Sequence, residues 1–125
     1  MNHLALVAIG GALGSTARYF TGLVTLRWFG PGFPWGTLLV NIVGSLAIGI
    51  FAELIARRFD SSPELRLFIV TGVLGGFTTF SAFSLEVSAM LERGDYASAG
   101  GYILASLAIS VAAVFAGLAL VRAFL

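Results

Sequence analysis

The chain has no cysteine, no lysine and a single histidine, His3. The missing cysteines exclude disulfide frameworks and thiolate metal sites. His3 lies at the N-terminus, where it reads as an interfacial residue rather than a ligand. All seven basic residues are therefore arginine. Charge of either sign is scarce: 10% of the residues are charged and the net charge is +1, against roughly 25% charged residues in soluble chains. That balance argues against nucleic acid as a partner. What is abundant is apolar surface, at 58% hydrophobic residues and a mean hydropathy of +1.00. A soluble fold of 125 residues could not bury so much, so the bilayer is the natural solvent. The length suits one domain, residues 1–125.

A membrane-spanning helix needs about 20 mainly apolar residues. Four stretches qualify: Leu4 to Leu26, Trp35 to Ala56, Leu65 to Leu91 and Ala97 to Phe124. The connections are short. "RWFGPGFPWG" reads as a turn. "RRFDSSPE" offers Ser61 or Ser62 as a helix cap ahead of Pro63 and Glu64. "ERGDYA" ends the third span at Gly94, and Asp95 is placed to cap the fourth. The N-terminus lacks the basic flank of a signal peptide and reads as a retained span. With four spans both termini share a side, together with Arg57, Arg58, Arg66 and Arg122; Arg27 and Arg93 lie opposite. Four against two is a weak orientation signal. It leaves open either an inside N-terminus or insertion in both directions with antiparallel pairing.

Polar residues inside the spans are patterned. Thr37, Asn41 and Ser45 recur every four residues in span 2, as do Ser98, Tyr102, Ser106 and Ser110 in span 4, so each set stacks on one helix face. Span 3 carries Thr78, Thr79, Ser81, Ser84 and Ser88. Close helix packing accounts for any single Ser or Thr, and Gly10/Gly14 and Ser45/Gly49 are small-xxx-small pairs of that kind. Asn41, an amide near mid-span, has two N–H donors to satisfy. A lining rich in N–H and O–H and without acids on the stripes of spans 2 and 4 suits a small anion, because cation paths usually show acidic or carbonyl rings; hydroxyls also accept hydrogen bonds, so the pattern is not exclusive to anions. Phe80 and Phe83 can add ring edges, the positive part of the aromatic quadrupole, although by itself the pair reads better as ordinary lipid or core packing. Two charges lie within spans and are functional candidates by default: Arg18, for a vestibule or the nearer interface, and Glu86, for structural pairing, with an arginine as one candidate partner. Glu53 is near enough to the end of span 2 to reach the headgroups.

The stretch "TGVLGGFTTFSAFSLE", residues 71–86, is a poor membrane helix. Gly75 and Gly76 weaken it, and Thr78 and Thr79 compete for its backbone hydrogen bonds. A break here would free carbonyls for a small cation and amides for an anion; the alternative is a continuous helix with a close-packed glycine face. It is tolerated at membrane depth only when buried in protein or lining a cavity.

"GGALGSTARY" (10–19), "GTLLVNIVGS" (36–45) and "GVLGGFTTFSAFSLE" (72–86) closely resemble the Fluc/CrcB family of fluoride channels, and the resemblance runs over essentially the whole chain. It implies an all-α integral membrane protein of four transmembrane helices with span 3 broken at its centre. It further implies an antiparallel dual-topology homodimer with two fluoride pores, in a bacterial-type inner (plasma) membrane. Backbone carbonyls of Gly75 and Thr78 from both subunits would hold a structural sodium ion. Asn41, Phe80 and Phe83 match the family's pore asparagine and phenylalanine pair. Thr79 and Ser81 fall in the matching pore segment, Tyr102, Ser106 and Ser110 match a polar track, and Thr37 is a weaker match. Arg18 falls in the matching "AR" motif with no assigned role. "FSAF" has Ala82 where a hydroxyl is common. The implied activity is passive export of fluoride, not catalysis, with no organic cofactor; the "GGALG" run has no βαβ context and is no dinucleotide fingerprint. The competing reading is a small multidrug-type proton-coupled exporter, but such a protein needs an acid in span 1, where this chain has only Arg18. A non-transporting assembly subunit, its polar stripes serving as packing glue, is a third possibility.

Overall fold

The computed structural model describes residues 2–125, and every regular element among them is helical. α1 (His3–Phe29) and α2 (Trp35–Arg58) are joined by a turn at 30–34, where Gly30 takes the left-handed φ of 75°. A second turn at 59–62 places Asp60 and Ser61 at φ 53° and 54°. The chain then enters a composite half-helix, α3 (Pro63–Leu65), a π-helical segment (Arg66–Leu74) and α4 (Gly75–Phe77). After an interruption, α5 (Ser81–Glu92) and α6 (Tyr96–Phe124) complete the chain.

The helix ends follow local chemistry. Of the two candidate serines, Ser62 is the cap; its Oγ accepts from Leu65 N–H at 3.3 Å. Gly94 has φ 81° just after α5, the left-handed residue that commonly ends a helix. Asp95 holds the N-cap position of α6 without a side-chain cap bond. Its carboxylate accepts instead from Arg93 Nε at 3.3 Å, because the cation two residues back competes for it. Glu53 bridges Arg57 of its own helix and Arg122 of α6, at 2.9 and 3.3 Å.

Among the described residues, three stretches are long and apolar enough to cross a membrane: Trp35–Arg58, Pro63–Glu92 and Tyr96–Phe124. α1 has the length, at 27 residues, but Arg18, Arg27 and its run of glycines and hydroxyls keep it outside that set. Only 11% of the apolar window of Tyr96–Phe124 is buried within the chain, so its Leu104 and Phe115 side chains point outward into an apolar medium.

Two glycine seams hold the helices. A Cβ at Gly14 would fall 2.8 Å from Phe77 N, and closer still to the Val73 carbonyl oxygen. One at Gly76 would lie 2.6 Å from the Gly11 carbonyl oxygen. α1 therefore lies backbone-to-backbone on the half-helix 63–77. α2 and α6 meet the same way, where a Cβ at Gly117 would lie 2.8 Å from Ile50 N. The apolar core is small and sits between α2, α5 and α6, around Leu38, Phe83, Met90, Ala99 and Tyr102.

Gly14→Ala should lower stability by about 1–3 kcal/mol, the usual cost of overpacking. Gly11→Ala, one face away with nothing within 4 Å of its Cβ, should lose no stability. Thermal unfolding of the two variants in detergent checks the contrast.

Candidate functional site

The third segment is broken at Thr78–Phe80, one turn after the glycines that the sequence suggested as the weak point. Gly75 and Gly76 are helical; their missing side chains serve the seam with α1, not the break. The interruption comes from side chains that capture backbone groups. Thr78 is extended, at φ −84° and ψ 160°. Asn41 pairs with the next peptide as a strand would: Thr79 N–H donates to Asn41 Oδ1 at 2.8 Å, and Asn41 Nδ2 donates to the Thr79 carbonyl at 2.9 Å. Ala82 N–H donates to Thr79 Oγ1 at 3.1 Å, so Thr79 caps the start of α5.

In an uninterrupted helix Thr79 N–H would bond the Gly75 carbonyl, and Ala82 N–H the Thr78 carbonyl. Both donors are diverted, which releases those two carbonyls from the helical ladder. The Gly76 carbonyl accepts from Arg18 Nε at 3.0 Å. Arg18 thus bonds the backbone of the half-helix and also lines a cavity of about 370 Å³. It places a cation at the C-terminal end of the half-helix, where the helix dipole favours it. No group of three or more His, Asp or Glu residues gathers among the described residues, so neutral carbonyl oxygen at the break is the cation-binding chemistry on offer. The Gly75 and Thr78 carbonyls are neutral oxygen donors, the ligand type that a hard cation takes.

Beside the break lies a groove of about 270 Å³ lined by Asn41, Thr78, Thr79, Phe80, Phe83, Ser106 and Ser110, with Gly44 and Ser45 among its other walls. Ser106 Oγ and Ser110 Oγ are buried in its wall without a hydrogen-bond partner in the protein. Thr16, Thr21 and Thr25 in α1, and Thr78 at the break, each donate to the carbonyl four residues back. The two buried serines of α6 have no such bond, at a cost of about 1–3 kcal/mol for each unsatisfied group. Phe80 and Phe83 stack obliquely, ring centroids 5.6 Å apart. Phe83 is buried, while Phe80 is 74% exposed on the outside of the chain.

The remaining candidates divide differently. Thr37 Oγ1 donates to Glu86 Oε2 at 3.1 Å and Tyr102 O–H donates to Glu86 Oε1 at 3.0 Å. Glu86 therefore pairs with two hydroxyls and not with an arginine, because α2 and α6 deliver those donors to its two oxygens. Tyr102 is fully buried, with its ring 5.0 Å from that of Phe83. Thr37 and Glu86 face a second cavity of about 370 Å³, shared with Arg18 and Arg93; Thr79 lines both spaces. Ser81 lines neither, and its Oγ lies 3.4 Å from Thr79 Oγ1. Gly44 went unremarked in the sequence, although its place three residues after Asn41 puts both on one face of α2.

Asn41→Ala would leave the Thr79 N–H and carbonyl without partners, a loss of about 1–3 kcal/mol for each group. Amide exchange at Thr79 should accelerate by about tenfold to a hundredfold, read by mass spectrometry or NMR, with seam amides in α1 unaffected.

Residues 5–118 match the family model described as CrcB-like protein, Camphor Resistance (CrcB). A protein of Rhizobium etli is 60% identical over 123 residues, and one of Rhizobium leguminosarum bv. trifolii 62% over 123; each alignment covers 98% of both chains. One of Agrobacterium fabrum is 62% identical over 122 residues, again 98% of both. All three bear the name fluoride-specific ion channel FluC, a non-enzymatic activity. With a glycine-seamed helical fold, a side-chain-held break and a family match over nearly its full length, this chain belongs to the CrcB-like family.

Proposed function

We propose that the chain is a fluoride-selective passive channel. Two copies, each of four spans with α1 as the first, would pair antiparallel in a bacterial inner membrane and enclose two pores. The observation that carries this reading is the groove beside the break. It combines the Asn41 amide, two unpartnered serine hydroxyls and a phenylalanine pair, with no carboxylate in its lining. Such a wall offers hydrogen-bond donors without full charges. A small anion that sheds its water would be met by donors from one side and by ring edges from another. The names of the relatives supply the identity of the anion.

Pairing of two copies is supported by Phe80, a large ring held outside the chain at the break. A partner arriving there would complete the wall. The released Gly75 and Thr78 carbonyls are the residues that would hold a structural sodium ion between the copies. Its charge, when bound, would offset the carbonyl dipoles that meet there. Thr79 and Ser81 belong to the same pore segment. Ser106 and Ser110, with Tyr102 above them, would form the track along α6, and Thr37 would lie toward its outer end.

Passive flow suffices for fluoride resistance. HF is a weak acid that crosses membranes unaided and ionises in the cytoplasm. A conducting path for the trapped anion lets it leave down its electrochemical gradient.

Purified protein in fluoride-loaded liposomes should release fluoride rapidly once the membrane potential is dissipated, with little chloride release and no dependence on an imposed proton gradient. Folded protein that passes no fluoride would overturn the reading, and efflux that follows the proton gradient would favour an exporter. Phe80→Ile and Phe83→Ile should each slow fluoride efflux at least about tenfold, equal to a barrier higher by roughly 1.4 kcal/mol, while each still runs as a dimer on size exclusion.

A further inference from the structure

Asn41 and Gly44 lie three residues apart on one face of α2. They meet consecutive residues of the break. Asn41 takes the Thr79 peptide through two hydrogen bonds. Gly44 faces Thr78: a Cβ built on it would lie 3.3 Å from the Phe77 ring and only 2.2 Å from Thr78 Cγ2. The Thr78 methyl group therefore fills the space that any other side chain at position 44 would occupy.

Thr78 is poorly able to yield. It is β-branched, with restricted χ1, and its Oγ1 donates to the Leu74 carbonyl at 2.9 Å. Rotation to clear a Cβ would give up that bond. Otherwise the whole extended residue must move away from α2, and it carries one of the two released carbonyls.

We propose that Gly44 is a positioning residue for ion conduction. The gap at Gly44 receives the Thr78 methyl group, fixes the depth at which the break sits against α2, and so aims the Thr78 carbonyl and seats the Thr79 peptide on Asn41. Polar and steric contacts form a two-point latch on adjacent residues. Gly44 acts through Thr78, not by contact with an ion. This inference rests on the channel reading above.

The test compares wild type, Gly44→Ala, Thr78→Ser and the double variant. Thr78→Ser removes only Cγ2 and keeps Oγ1. Gly44→Ala should slow fluoride efflux at least about tenfold. It should also raise, by about tenfold, the sodium concentration that half-maximally protects the detergent-solubilised dimer against heat. The double variant should recover most of both losses, to within about threefold of the Thr78→Ser protein, the sign of a direct pairwise contact. A Gly44→Ala protein with wild-type efflux and sodium dependence would overturn the latch and leave the channel reading intact. So would a double variant no better than Gly44→Ala, which would mean that the added carbon simply narrows the groove. If Gly44→Ala does not fold, folding of the double variant supports the latch and its failure overturns it. If the wild type conducts no fluoride, the channel reading falls by itself, and the sodium-dependent melting of the four proteins still decides on the latch.

Discussion

The pairing of the Asn41 side chain with the Thr79 peptide is the interaction on which the site depends. An interrupted helix at membrane depth exposes amides and carbonyls that no lipid can satisfy. One amide side chain, with an acceptor and a donor set as in a peptide, answers both groups of Thr79. The diversion of that single N–H releases the Gly75 carbonyl. Thr79 then turns its own hydroxyl to Ala82 and starts α5, which releases the Thr78 carbonyl. The placement of Phe80 and Phe83 along the groove follows from where α5 begins.

The glycine seams give that pairing a rigid frame. α1 fixes the half-helix 63–77 from one side through Gly10, Gly14 and Gly76, and Arg18 reaches over the same seam to the Gly76 carbonyl. α6 is fixed to α2 through Gly49 and Gly117. α2 thus carries both the amide that holds the break and the helix whose serines face it. Glu86 ties the far side of α5 to α2 and α6 through two hydroxyls, so the short helix after the break is fastened at its start and at its middle.

Periodicity and local capping made the helices readable from sequence. The bounds of the spans, Ser62 as a cap, Gly94 as a stop and the polar stripes on α2 and α6 all follow from rules that act within a few residues. The break was legible as a region, but its position was not. Gly75 and Gly76 have low helix propensity, yet their neighbour across space is the backbone of α1, and tight packing keeps them helical. Glu86 and Arg18 were visible as intramembrane charges, whereas the partners of Glu86 are 49 and 16 residues away in the chain and that of Arg18 is 58 away. A single sequence tells which face a residue occupies, not which helix will lie against it. Gly44 escaped notice for the same reason.

The seams also bear on how this protein can change over time. Where a glycine faces backbone, as Gly10, Gly14 and Gly117 do, no neighbouring side chain can shrink to make room for a larger residue. Compensatory substitution is closed there, and those positions are locked one by one. Gly44 faces a side chain instead. Evolution can alter that contact in two coordinated steps, which makes the junction of α2 with the break an adjustable joint beside the backbone-locked seams.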